Sequence, residues 1–407
     1  MHSIIEAAAM IAAGAKPRAL VEECLARIDD RAGEGARVFL KLHADEARAA
    51  ADFYHRLHAA GRAPSPFAGI PISAKDLFDV AGDVTTAGSV ILRDAPPAQD
   101  DAPAIARIPG GSSSGAAVSV TDGMAFGAIG TDTGGSCRIP AALCGIVGFK
   151  PTAHRVPTQG AFPLSTSLDS IGPLTATVEC AAVLDAVLAG EPIAPLQPFP
   201  VQGLRLAVPQ TMVLDNVEPA VSGAFDAALT LLRKAGAVIT DIPLREFSEL
   251  PQINAKGGLS AAESYAIHRP LLAKHAKRYD PRVLARILRG QEQDAADYID
   301  LVKARADFIR RIAPLTAPYD ALVMPTVPVI APRLAELAAD DAYRHTNALV
   351  LRNPSIANFL DRCAISIPCH RAGDAPVGLM LIGEHDADRR LLAIAAGIEK
   401  VVAPRCA

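Results

Sequence analysis

The stretch Gly110–Pro140, GGSSSGAAVSVTDGMAFGAIGTDTGGSCRIP, constrains this chain more than any other. It holds two Gly/Ser clusters, GGSSSG at Gly110–Gly115 and TDTGGS at Thr131–Ser136, joined by a segment too apolar to be a linker. Glycine-rich backbone takes up positive φ easily and can turn its N–H groups inward. Two such turns facing each other make a pocket lined by hydroxyls and amide donors. Ala116–Val120 reads as the start of a short helix, and Met124–Ile129 as a buried strand feeding the second turn. Ser112 and Ser136 are 24 residues apart, so a helix and a returning strand can bring them to one place.

The composition narrows the function classes. With 407 residues, half of them apolar and 21% charged, the chain is globular and can build a large core. A net charge of -4, no Trp and 4% aromatics disfavour a nucleic-acid partner. Seven cysteines, an odd number without framework spacing, read as reduced thiols in a cytoplasmic protein. There is no CxxC or HExxH, and the histidines do not cluster with acids, so no metal site is expected. Near the start, Ser3 and Glu6 form a capping-box pattern, so IIEAAAMIAAGA reads as a short helix and not as an export signal. No apolar run is long enough to span a bilayer, so no membrane contact is expected.

Along the chain, residues 1–60 read as helical, with Leu20, Cys24, Leu25 and Ile28 on one face. Ile70–Ala74 reads as a strand end that delivers Lys75 into a loop. Residues 94–111 are proline-rich, with only a scrap of helix fitting Ala102–Ile108. Ile146–Phe149 is a short strand, and Thr177–Leu188 an amphipathic helix. The proline-rich stretch 190–203 reads as the best internal boundary or as a surface connection within one domain. Beyond it, strand Leu204–Pro209, a helix marked by Val221, Phe225, Leu229 and Leu232, and strand Ala237–Leu244 set a βαβ rhythm. Residues 261–313 are charged, helical and peripheral. Tyr319–Val327, Ala364–Pro368 and Val377–Ile382 are further strands, and Asp386 is expected to cap a last helix with Leu391, Ile394, Ala395 and Ile398 facing inward.

Gly/Ser runs alone most often make connectors, and a lysine beside an aspartate, as in Lys75-Asp76, is usually a solvated pair. The ordered set GIPISAKDLFDVAG, GGSSSGAAVSV, GAIGTDTGGSCRIPAALCGIVGFKPT, DSIGPLT and PVGLMLIG resembles the amidase signature family, most closely from Phe67 to Thr175. The resemblance implies one amidase-signature domain over residues 1–407, α/β, with a mixed, mostly parallel sheet between helices. It implies that Ser136 is the nucleophile and Lys75 the base, with Ser112 bridging them through an unusual cis peptide. The amides of Thr133, Gly134, Gly135 and Ser136 correspond to the oxyanion hole, and Asp132 and Arg138 to supporting positions that brace the loop. The implied reaction is hydrolysis of a small carboxylic amide to acid and ammonia or amine through an acyl-enzyme, in the cytoplasm, with no cofactor and with a homodimer allowed.

The chemistry suits those roles. A serine hydroxyl is a poor nucleophile until a base takes its proton, and a lysine can be that base only if desolvation lowers its pKa from about 10.4. Three rival readings stand beside it. Gly111–Gly115 satisfies G-x-S-x-G with Ser113 as nucleophile, but Pro109 just before it does not suit the buried strand that such an elbow follows. Cys137 invites a thiol mechanism, although a buried Cys is more often apolar filler; His154 and His370 read as ordinary histidines. The signature is also shared by the glutaminase (A) subunit of tRNA-dependent amidotransferases, but residues 261–313 lack that subunit's RIMLGTY-type segment.

One departure bears on activity. Only 36 residues lie between Lys75 and Ser112, where family members carry about twice that length, including a strand with a GKTN-like turn. A core strand segment is expected to be missing there. Extended residues reach about 3.3 Å each, so the remaining chain still spans the gap. A catalytically impaired member acting as a binding protein is the alternative that this motivates.

Overall fold

The computed structural model describes residues 2–104 and 113–403. Among them nine strands form one sheet: β1 (Ser73–Ala74), β2 (Gly127–Asp132), β3 (Val147–Lys150), β4 (Ser170–Thr175), β5 (Arg205–Pro209), β6 (Val238–Ile242), β7 (Ala321–Pro325), β8 (Ala364–Pro368) and β9 (Gly378–Ile382). Their spatial order is β1-β2-β4-β3-β8-β9-β7-β5-β6. The expected mixed sheet between helices is present, but the expectation of mostly parallel pairing needs correction. Parallel pairs lie only towards the two ends, β1 with β2, and β5 with β6 and β7. The middle is antiparallel: β2–β4, β4–β3, β3–β8, β8–β9 and β9–β7. The cause lies in the connections. β5 and β6 are joined by the helix Pro219–Lys234, which carries the chain back to start a parallel neighbour. β3–β4 and β8–β9 are joined without a helix, and the chain simply turns round.

Side chains alternate between the two faces of the sheet, as a period of two requires. Leu206, Val208, Val323, Leu379 and Leu381 pack on one face against Val221, Phe225 and Leu232 of that helix and Leu391, Ile394 and Ile398 of the last one. Ala207, Leu322, Met324, Met380 and Ile382 pack on the other against Phe308 and Ile312 of the helix Ala295–Thr316. The middle strands are therefore buried throughout. Segments on both sides of residues 190–203 supply strands to the same sheet.

At the N-terminus the Ser3–Glu6 capping box opens the helix Ile4–Ala12. The last helix, Asp388–Val402, differs from expectation: its N-cap is Ala387, and Asp386 sits before it at φ +57°, so Asp386 does not cap it. The proposed helix scrap at Ala102–Ile108 extends into residues outside those described. From Asp76 to Ala104 the described chain is turn and coil, with a single isolated bridge between Phe78 and Ala161.

Where β4 crosses the chain leaving β3 there is no room for a side chain. A Cβ on Gly172 would stand 2.0 Å from the carbonyl oxygen of Phe149. Gly172→Ala must push buried backbone aside, and we expect a loss of about 1–3 kcal/mol of stability or more. A urea titration monitored by circular dichroism checks this through a lowered midpoint at unchanged slope.

Candidate active site

Sheet register assembles the site. β1 runs parallel to β2 with Ala74 opposite Ile129, and the amide of Lys75 donates to the Ile129 carbonyl at 3.1 Å. Both strands therefore release their chains at the same edge, where sites collect in sheets of this kind. Lys75 comes out beside Thr131, and its Nζ donates to Thr131 Oγ1 at 2.8 Å. β2 is antiparallel to β4 with Asp132 opposite Ser170, so Thr133 and Asp169 meet just past the strand ends. Thr133 Oγ1 donates to Asp169 Oδ1 at 2.5 Å.

The turn that carries Ser136 is built around a fully buried ion pair. Arg138 Nε and Nη2 donate to Asp132 Oδ2 and Oδ1 at 3.0 and 2.8 Å. The remaining Arg138 donors reach the Pro354 carbonyl and Asn358 Oδ1, and Asn358 Nδ2 returns a bond to Asp132 Oδ1. Burial alone would raise the Asp132 carboxyl; the Arg138 charge and hydrogen bonds overcome it and hold the group well below the usual carboxylate range. The same carboxylate accepts from the backbone N–H groups of Gly135 (2.8 Å) and Cys137 (3.1 Å). Gly135 sits at φ +125°, and a Cβ there would also meet Pro354 Cβ at 2.5 Å, so the turn requires glycine.

This geometry revises one expectation. The Gly135 amide faces Asp132, so it is not aimed at a substrate oxygen, and the candidate donors narrow to Thr133, Gly134 and Ser136. Lys75 and Ser136 are brought together on the wall of one cavity of about 580 Å³, with Thr131, Thr133 and Asp169 beside them. Its volume lies in the range of small-molecule sites. Ser112 lies outside the described residues; the helix that follows it, Ser113–Thr121, packs Ala116, Ala117 and Val120 against Ala128 of β2.

The charge state of Lys75 follows from its place. Burial pushes its ammonium below the ordinary lysine range, although Cys137, Asp132 and Asp169 pull the other way. Cys137 is fully buried, its thiol is pushed far up by desolvation, and its Sγ points to the Gly172 carbonyl. A thiolate is therefore disfavoured. Ser113 is 5% exposed and is not part of the cavity wall.

Several residues at the site escaped the sequence reading. Thr131 and Asp169 stood inside quoted motifs without a role. Glu263 lies on the helix Gly258–His275 and accepts from Ser165 Oγ, Ser167 Oγ, the Ser167 amide and Tyr298 OH. It thereby fixes the loop whose Leu164 and Ser165 amides hold Asp169 Oδ2. His154, read as ordinary, lines the cavity. Part of the wall comes from His268, Arg278, Tyr279, Asp280 and Val283, and part from residues 87–90 and Leu92.

Comparison with known proteins matches the chain to the Amidase family model over residues 19–108 and 102–392. The chain is 34% identical to 2-amino-5-chloromuconic acid deaminase of Comamonas testosteroni, over 93% of this chain and 92% of that protein. It is 31% identical to the A subunit of the glutamyl-tRNA(Gln) amidotransferase of Moorella thermoacetica, over 93% of each. A solved crystal structure of an amidase superposes with a TM-score of 0.87 at 28% identity, covering 98% of this chain and all of that one.

Proposed function

Because the chain belongs to the amidase family, we propose that it hydrolyses the carbon–nitrogen bond of a small amide, with Ser136 as nucleophile and Lys75 as base. The observation that carries this assignment is the meeting of Lys75 and Ser136 on one cavity wall, with the lysine's charge disfavoured by burial.

In this reading the neutral Lys75 amine takes the Ser136 proton, with Ser112 as the relay implied by its motif position. The Ser136 oxygen attacks the amide carbon, and the carbonyl oxygen becomes an oxyanion facing the N–H groups of Thr133, Gly134 and Ser136. One such donor is typically worth a factor of roughly 100 to 1000 in rate. The proton then passes back to the departing nitrogen, the carbon–nitrogen bond breaks, and water hydrolyses the ester on Ser136. Asp132 and Arg138 hold the turn rigid; Asp169 holds the Thr133 hydroxyl.

A pH profile tests the base. Protonated Lys75 cannot accept a proton, so kcat/KM should rise with pH and level off below the lysine reference of about 10.4. Lys75→Ala should lose about 100- to 10,000-fold in rate together with that limb. A profile that still climbs at the reference value, or a limb that survives in the variant, contradicts the assignment.

The amidotransferase relatives support a second reading, a glutaminase subunit that works with partners. Glutamine-dependent ammonia release that requires a co-purifying protein would favour it. A cytoplasmic location and a homodimer belong to the first reading, the amidase; of the described residues, no helix is long and apolar enough to cross a membrane.

A further inference from the structure

The part of the cavity wall formed by His268, Arg278, Tyr279, Asp280 and Val283 bears a permanent cation, Arg278. Its side chain is 43% exposed, and Nη2 donates to the Val90 carbonyl at 2.6 Å. Asp94 stands 3.8 Å away and is itself 83% exposed, so water screens that pair. A guanidinium offers five N–H donors in a fixed fork that matches a carboxylate. One backbone bond and one screened neighbour leave most of that fork open.

Of the other ionisable groups of the wall, Lys75 donates to Thr131 Oγ1, and Asp169, Asp280 and His268 each have partners. Asp169 uses Oδ1 on the Thr133 hydroxyl and Oδ2 on the Leu164 and Ser165 amides. Asp280 accepts from the Arg282 and Val283 amides as the cap of the helix Pro281–Leu288. His268 shares a hydrogen bond with Tyr279 OH at 2.9 Å and packs its ring against Phe162. The rest of the wall is largely apolar, with Leu77, Val90, Leu92, Phe162 and Ile171.

We propose that the substrate is an amide that also bears a carboxylate, and that Arg278 binds this carboxylate while Ser136 addresses the amide. A single guanidinium in an apolar wall suits a monoanion better than a phosphate, which would call for further donors. The inference rests on the amide-hydrolysis reading of the site. Arg278 is a specificity residue in it, touching the remote end of the substrate.

The test separates binding from turnover. Ser136→Ala protein is titrated by calorimetry with mono-amides of dicarboxylic acids from malonamate to adipamate, and with neutral amides of matched length. At least one acid amide should bind ten-fold or more tightly than its neutral match. Arg278→Ala in the same background should remove that preference while leaving the neutral amide unchanged, and Arg278→Lys should restore part of it. Equal binding within every pair, no binding across the series, or a preference that survives Arg278→Ala overturns the proposal. In the unmodified enzyme, ammonia release from neutral amides without preference for their acid matches also overturns it, and leaves hydrolysis standing. An Arg278-dependent binding preference with no ammonia release from any amide supports Arg278 and counts against hydrolysis.

Discussion

Ser136→Ala is expected to abolish amide hydrolysis, with a fall in kcat of about ten-thousand- to a million-fold, the scale seen when the nucleophile of a concerted catalytic set is removed. Ser136 is partly exposed to the cavity, and Asp132 holds the amides on either side of it, at Gly135 and Cys137. Removing one hydroxyl from that place leaves the buried ion pair and the turn intact, so the variant should unfold at the same denaturant concentration as the parent. Ammonia release and a urea titration on the same preparation check both halves. Unchanged turnover would remove Ser136 from the chemistry, and a large loss of stability would make the kinetic result uninformative about its role.

Asp132→Ala should have the larger effect on folding. It leaves the Arg138 guanidinium, with no exposed surface, lacking its counter-charge. It also strips the Gly135 and Cys137 amides of their acceptor. Breaking a buried pair from one side typically loses about 3–5 kcal/mol, a large part of the stability of any domain. Hydrolysis should fall with it, because the turn that presents Ser136 is anchored there. Because the native carboxyl is held far below its unfolded value of about 3.9, its contribution is complete well above that pH, fades as pH falls below it, and is lost once pH has dropped through the depressed native value. The difference in urea midpoint between parent and Asp132→Ala should therefore be constant from pH 5 to 8 and shrink in strong acid. A midpoint within experimental error of the parent's at pH 7 would show that the pair is not what holds the loop.

Local pattern made much of this readable in the sequence. Val221, Phe225, Leu229 and Leu232 recur at helical spacing and all are buried in one helix. The strands read at 204–209, 364–368 and 377–382 lie within a residue of their observed limits. Pairing direction was less legible, since it depends on where each connection returns, and the antiparallel middle of the sheet has no local signature. Asp386 failed as a cap because its positive φ ends the preceding turn and does not begin the helix.

At the site, the residues that could be read were those inside the Gly/Ser motifs and beside Lys75. Glu263 and Arg278 were hidden for another reason: each reaches the site only through contacts with distant sequence, Glu263 with Ser165 and Ser167, Arg278 with Val90. No periodicity announces such a meeting. The Gly135 amide shows the converse, a motif position whose backbone donor the fold directs to Asp132.

The most direct test of the central claim is covalent labelling of the intact enzyme with a serine-directed fluorophosphonate, followed by peptide mapping. One adduct is expected on the peptide carrying Ser136, absent from Ser136→Ala and formed far more slowly in Lys75→Ala. Folded enzyme that takes up no label, a label on another residue, or labelling at full rate without the Lys75 amine would contradict a serine nucleophile activated by that lysine.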